Sequence, residues 1–198
     1  MSPKLRVGVM ISGRGSNMAS ILAAAEAPDC PYEVVLVASN NPEAAGLAFA
    51  NARGVAVWAH DHRGMKRAEF DRLIDAALRA ANVEMIALAG YMRLLSSEFV
   101  EGWQGRILNI HPSLLPKYKG LDTHARAIEA GDAEAGCSVH VVTPELDDGP
   151  VVAQVRVPIL AGDTPETLAE RVLKEEHRLY PAALAKCAAD VLKSRSPA

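Results

Sequence analysis

Short apolar runs and helix-period stretches take turns along the first half of this chain, and that alternation leaves few folds open. The runs "LRVGVMI" (5–11), "YEVVLVAS" (32–39), "VAVWA" (55–59) and "VEMIALAG" (83–90) are apolar almost throughout, as strands covered on both faces are. Between them the period lengthens. Met18, Ile21, Leu22 and Ala25 fall at i, i+3, i+4 and i+7, one face of a helix. "PEAAGLAFANARG" (42–54) predicts a second helix closed by Gly54, and Phe70, Leu73, Ile74, Ala77, Leu78 and Ala81 mark the apolar stripe of a third. Strand–helix alternation of this kind implies a parallel α/β sheet with helices on both faces.

After residue 105 the style changes. "RILNI" predicts one more strand, followed by a proline-rich loop and a short helix near 123–130. "CSVHVVT" (137–143) and "PVVAQVRVPI" (150–159) predict a hairpin-like pair of strands joined by "PELDDG". A helix from Pro165, capped by Asp163 or Thr164, runs to about 178, where Pro181 kinks it or starts another. No linker or repeat interrupts the 198 residues. The expectation is an α/β fold in a single domain, 1–198, around a central, mostly parallel twisted sheet with helices on both faces and antiparallel strands in the C-terminal part. Residues 1–105 would form a phosphate-binding half and 106–198 a second half.

The charge balance narrows the function. A formal charge of −3 arises from acids and bases mixed along the chain, without the basic stripe that nucleic-acid binding usually needs. No stretch approaches the ~18 apolar residues of a membrane helix, and the apolar run near the N-terminus is too short for a secretory signal. Cys30, Cys137 and Cys187 are scattered and odd in number, which argues against a disulfide framework and for a reducing, cytoplasmic setting.

Three clusters can carry chemistry. In "ISGRGSNMASIL" (11–22) a strand runs into Ser12, Gly13, Gly15, Ser16 and Asn17 and opens a helix. Free N–H groups and the helix dipole attract an anion there, and Ser16 adds a hydroxyl. A dinucleotide fingerprint wants glycine where Met18 stands, and a Walker loop wants a lysine before Ser/Thr. The loop therefore fits a phosphate monoester, or else is a turn that binds nothing. In "RILNIHPSLLPKYKG", Asn109 and His111 stand two apart on an extended chain, so they face one side, and Pro112 holds the extended form. An amide and a protonated imidazole can both donate to an oxygen gaining charge; the plainer alternative is a strand cap. In "TPELDDGPVV" (143–152), Asp147 and Asp148 precede Gly-Pro. Turns favour aspartate for backbone reasons alone, but one of these carboxylates beside His111 would keep that ring cationic and take a proton through water.

The remaining histidines are weaker candidates. His60 and His62 have a spacing that could hold a metal but no third ligand nearby, and read as solvated loop residues. His124, His140 and His177 stand alone. No metal site is expected, and Ser113 lacks the context of a serine hydrolase.

Taken together, "ISGRGSN", "LAGYMRLLS", "LNIHPSLLPKYKG" and "SVHVVTPELDDGPVVAQ", spread from residue 7 to about 181, resemble the folate-dependent formyltransferases, in particular the phosphoribosylglycinamide formyltransferase family of purine biosynthesis. The resemblance implies transfer of the formyl group of 10-formyltetrahydrofolate, a co-substrate, to the amine of glycinamide ribonucleotide, without a metal. It implies the ribonucleotide phosphate on Gly15, Ser16 and Asn17 and its ribose on Glu176. It puts the folate in a cleft lined by Met92, Arg93, Leu94, Leu95, Asn109, Thr143, Pro144, Glu145, Leu146 and Asp147, with Arg67 near its pteridine or tail. The catalytic trio it implies is Asn109, His111 and Asp147, the first acid of the pair. Asp148 stands where family members often carry a small residue, and Asp122 where some carry histidine. The implied partners are small molecules, with no nucleic acid or membrane, and the chain would act as a monomer or homodimer.

Rival readings are methionyl-tRNA formyltransferase, which adds a C-terminal RNA-binding domain, and formyltetrahydrofolate deformylase, which adds an N-terminal regulatory domain. The chain stops at 198 without a basic extension and its first strand starts at 5, which favours the first reading over both. A non-catalytic nucleotide- or folate-binding module is the rival from another class, and it would not require Asn109, His111 and Asp147 together.

Overall fold

The computed structural model describes residues 3–195; the ends of the expected 1–198 unit, residues 1–2 and 196–198, lie outside the described residues. In chain order the elements are β1 (Leu5–Ile11), α1 (Ser16–Ala25), β2 (Tyr32–Ser39), α2 (Ala45–Asn51), β3 (Val57–Ala59), α3 (Arg67–Ala80) and β4 (Met85–Leu88), then α4 (Ser97–Gly102), β5 (Ile107–His111), α5 (Thr123–Glu129), β6 (Glu134–Val141), β7 (Val151–Pro158) and α6 (Pro165–Arg195). Seven strands form one sheet in the order β3-β2-β1-β4-β5-β6-β7. Pairing is parallel from β3 through β5, then antiparallel for β5–β6 and β6–β7. This is the α/β sheet expected, with its antiparallel strands at the C-terminal side.

Alternation along the strands sends side chains into two cores. Val7, Val9 and Ile11 pack with Met18 and Ile21 of α1, Leu47 of α2, Ala127 of α5 and Val172 and Leu184 of α6. Met10, Leu36 and Ala38 face the other way, onto Phe70, Ile74 and Leu78 of α3 and Phe99 and Trp103 of α4. Apolar residues at nearly every position of β1 follow from this double cover.

Several elements differ from expectation, each for a local reason. Helix α2 starts at Ala45 rather than 42, because the Asn41 side chain accepts the Glu43 N–H at 3.0 Å and holds a turn instead. It ends at Asn51, and Gly54 sits beyond it at φ +74°. Strand β3 is only three residues long. On α3, Leu73 is 40% exposed while Asp71 is buried, its Oδ2 accepting the Ser96 N–H at 2.6 Å. Helix α4 was not foreseen; Ser96 caps it by accepting the Phe99 N–H. Helix α6 runs unbroken through Pro181 to Arg195. Proline removes one backbone bond there, but Tyr180, Pro181 and Leu184 are all buried, and packing of this kind outweighs propensity.

Candidate active site

Strand order reverses between β1 and β4, and open α/β sheets bind ligands beyond the carboxyl ends of the strands at such a point. A cavity of about 280 Å³ opens there, lined by residues 12–17 with Ala89, Gly90 and Met92. Gly15 takes φ +71° and leads into α1, whose first turn no side chain caps, so its N–H groups stay free for an anion. Gly46 brings α2 against this loop, donating its N–H to the Gly13 carbonyl at 3.1 Å. A Cβ at Gly46 would stand 2.5 Å from Ile11 Cδ1 and 3.2 Å from the Gly13 and Arg14 carbonyl oxygens, so a side chain there would push Ile11 or the loop aside. The loop is braced from behind: the Ser12 hydroxyl donates to Asn40 Oδ1 at 2.6 Å and accepts the Met92 N–H at 2.8 Å. His62 Nδ1 lies 2.8 Å from the Asn40 carbonyl. His62 is therefore a half-buried brace, not the solvated loop residue its sequence suggests, whereas His60 is exposed.

Asn17 faces the same crevice. Its Nδ2 donates to Glu176 Oε2 at 2.7 Å, and its Oδ1 is buried without a partner. Burial pushes the Glu176 carboxyl above its ordinary value, and the Asn17 bond only partly offsets this. The predicted loop and the predicted acid of the C-terminal helix thus meet.

The second cluster lies at the carboxyl end of β5. Leu108 and Ile110 fill one core and Ile107 the other, so Asn109 and His111 continue the Ile107 face to where it opens. His111 Nδ1 lies 3.4 Å from Asp147 Oδ2, which settles the convergence that spacing alone left open. Asp147 sits at φ +50° and also accepts the Gly120 N–H at 2.9 Å. Its loop is pressed inward at Gly149, where a Cβ would lie 1.7 Å from the Val141 carbonyl oxygen. Asp148 points away and pairs with Lys119. His111 Nε2 faces the Tyr118 carbonyl at 2.9 Å, so only the imidazolium can donate to both neighbours at once.

One member of this cluster went unrecognised. His140 pairs in register with Asn109, with Nε2 lying 3.2 Å from Asn109 Nδ2 and 3.6 Å from Asp147 Oδ1. A signal was present: Ser138 and His140 repeat, inside an apolar strand, the two-apart polar pattern of Asn109 and His111. His124 is not isolated either; burial first, and then the charge of His111, push its pKa down.

The remaining positions form a rim. Met92 is 73%, Leu94 54% and Leu146 55% exposed, so the rim presents apolar side chains to solvent. Leu121, on the loop opposite, is equally bare at 73% and was not foreseen. Arg93 turns inward, its guanidinium 5.2 Å from the Phe70 ring and bonded to the Met65 carbonyl, and Leu95 packs into the α3–α4 core. Thr143 Oγ1 donates to the Glu145 carbonyl within its own loop, and Pro144 and Glu145 are exposed. Arg67 is exposed at the start of α3. Within those residues, no three His, Cys, Asp or Glu side chains gather as a metal site, and no helix is long and apolar enough to cross a membrane.

A mostly parallel sheet with a glycine loop at its switch point, next to an Asn–His–Asp cluster, is the setting of an acyl-transfer enzyme, and residues 5–184 match the family model described as formyl transferase. The solved phosphoribosylglycinamide formyltransferase of Brucella melitensis is 53% identical, with a TM-score of 0.90 over 94% of this chain and 97% of that one. The Escherichia coli (strain K12) phosphoribosylglycinamide formyltransferase is 43% identical over 89% of this chain and 84% of its own length. The trifunctional purine biosynthetic protein adenosine-3 of Gallus gallus is 46% identical over 91% of this chain, which spans only 18% of that protein. The chain belongs to the phosphoribosylglycinamide formyltransferase family.

Proposed function

We propose that this chain moves the formyl group of 10-formyltetrahydrofolate to the amine of glycinamide ribonucleotide. The observation that carries the reading is the pairing of His111 with Asp147 at the end of β5, with Asn109 beside them through His140, along the same sheet edge as the glycine loop. The ribonucleotide phosphate rests on Gly15, Ser16 and Asn17, and a ribose hydroxyl reaches Glu176 and the unpartnered Asn17 Oδ1. The folate lies along the rim from Met92 to Leu95 and from Thr143 to Asp147, with Arg67 as a cation for its anionic tail.

The amine nitrogen attacks the formyl carbon, and the carbonyl π-pair moves to oxygen. Asn109 and protonated His111 donate to that oxyanion. Asp147 pairs with His111 and relays the amine proton through water to folate N10 as the C–N10 bond breaks. Because the Tyr118 carbonyl occupies His111 Nε2, the oxyanion gains that donor when residues 117–120 shift. Each oxyanion donor is worth about 10²–10³ in turnover, so Asn109→Ala should lose that much. We further place the working protein in the cytoplasm, as one domain acting as monomer or homodimer on small molecules.

Mixing protein, formyl-folate and glycinamide ribonucleotide and following tetrahydrofolate spectroscopically tests the reading. Release only with the ribonucleotide is expected. Release without it would indicate the deformylase, and no release under any condition a binding module.

A further inference from the structure

His140 has no part in the steps above, yet it is 2% exposed and touches two of the three groups that do. Its Nδ1 lies 3.1 Å from the Val141 carbonyl oxygen; a carbonyl only accepts, so Nδ1 carries the hydrogen. Burial favours the neutral ring and outweighs the Val141 carbonyl and Asp147, which pull the other way; the charge of His111 adds to burial. A neutral ring protonated on Nδ1 has a bare Nε2, which must accept. The donor it faces is the Asn109 carboxamide, 3.2 Å away. Asp147 Oδ1, at 3.6 Å, is another acceptor and is beyond hydrogen-bond length. Were the Asn109 amide turned end for end, its oxygen would oppose the Nε2 lone pair.

We propose that His140 is a positioning residue: as the Nδ1–H tautomer it fixes the amide of Asn109 so that nitrogen, not oxygen, lies on its side. One Nδ2–H is spent on His140, and the other remains a donor for the oxyanion. The same strand pairing that sets Asn109 opposite His140 holds the two groups in register. The consequence for catalysis rests on the function proposed above; the tautomer and the amide orientation do not.

Long-range ¹H–¹⁵N spectra of the ¹⁵N-histidine-labelled protein read the tautomer directly, with His140→Gln supplying the assignment. The expected pattern at neutral pH is a protonated Nδ1 and a bare Nε2. A protonated Nε2, or a ring protonated on both nitrogens, overturns the proposal. Kinetics test the consequence. His140→Gln keeps an acceptor where Nε2 stood, whereas His140→Asn keeps a donor at Nδ1 and no acceptor for Asn109. Turnover should stay within about 3-fold for the first and fall roughly 10–10²-fold for the second, less than for loss of the donor itself, with ribonucleotide KM unchanged. Equal losses in the two variants overturn the proposal. In an Asn109→Ala background His140→Asn should cost nothing more, because neighbours acting through one group are not additive; a full additive loss also overturns it. Parent-like turnover of Asn109→Ala alone would remove the catalytic role of Asn109 while the spectra still decide the tautomer.

Discussion

The two ends of the crevice are made from different materials. At the β1 end, six consecutive residues, 12–17, supply backbone N–H groups, glycine and a hydroxyl, and one distant acid, Glu176, closes on Asn17. At the β5 end nothing is contiguous. Asn109 and His140 meet across 31 residues of sequence because β5 and β6 pair antiparallel, and Asp147 arrives on the loop that follows. An anion can be held by backbone that any short loop presents. Proton transfer and oxyanion stabilisation need particular side chains at fixed distances, which strand register supplies. Damage at the first end should therefore appear in affinity, and damage at the second in turnover.

The largest expected effect lies at the β5 end. Asp147→Asn keeps an acceptor for the Gly120 N–H but removes the charge beside His111. Turnover should fall about 10²–10⁴-fold, the usual worth of acid–base help, and His111→Ala should fall in the same range. Ribonucleotide affinity, measured by titration, should not move in either. An affinity that dropped in step with turnover would erase the division between the ends.

The converse test falls on Glu176→Gln. The Asn17 bond to this side chain survives, but the charge-assisted contact proposed to the ribose would be weakened. Ribonucleotide KM should rise about 10-fold, as such bonds carry roughly 1.5–3 kcal/mol, with turnover nearly intact. Stability should move the other way. Burial holds the Glu176 carboxyl above its ordinary value, so the folded state binds that proton more tightly than the unfolded chain. The favourable contribution is complete below the unfolded value and is lost as pH rises through the folded one. The parent should thus gain stability between neutral pH and mild acid relative to Glu176→Gln, whose melting temperature should be the higher at neutral pH. A variant less stable than the parent at neutral pH would contradict this.

That division also explains what could be read from the sequence. The glycine loop was legible because its parts are consecutive: Gly15, Ser16 and Asn17 follow an apolar strand and open a helix. Asn109 and His111 were legible as a pair because alternation puts them on one face. His140 was not, because its partner is fixed by an antiparallel register that no local pattern states. Gly46 was hidden likewise, its need for a bare Cα coming from Ile11 and the loop carbonyls across the fold. Element boundaries slipped where side chains competed with backbone, as at Asn41, or where burial overrode a proline, as at Pro181.

A smaller effect tests the seam between the ends. The Tyr180 hydroxyl lies 2.9 Å from the Leu88 carbonyl and 3.0 Å from that of Leu108, bridging β4 and β5 from α6. Tyr180→Phe leaves the ring in place and removes that link. Unfolding free energy should drop by about 1–3 kcal/mol, the cost of leaving buried acceptors short of a donor, read from a denaturant midpoint. KM and turnover should both stay near the parent. A fall in turnover alone would mean that the seam, and not only the side chains beyond it, sets the geometry of the β5 end.

The smallest expected effect separates two neighbouring acids. Asp148 pairs with Lys119, and both side chains are substantially exposed, at 55% and 37%. Exposed ion pairs contribute about 0–1 kcal/mol, so Asp148→Gly should change turnover and melting temperature little, and raised salt should change them as little again. Asp147 differs because its side chain is 8% exposed and faces both His111 and His140. The two substitutions thus ask whether burial and facing, rather than position in the "LDDG" turn, give an acid its role. Should Asp148→Gly lose as much turnover as Asp147→Asn, the loop would be held shut from its outer side. The β5 end would then depend on surface charge after all, and its turnover would fall with rising ionic strength.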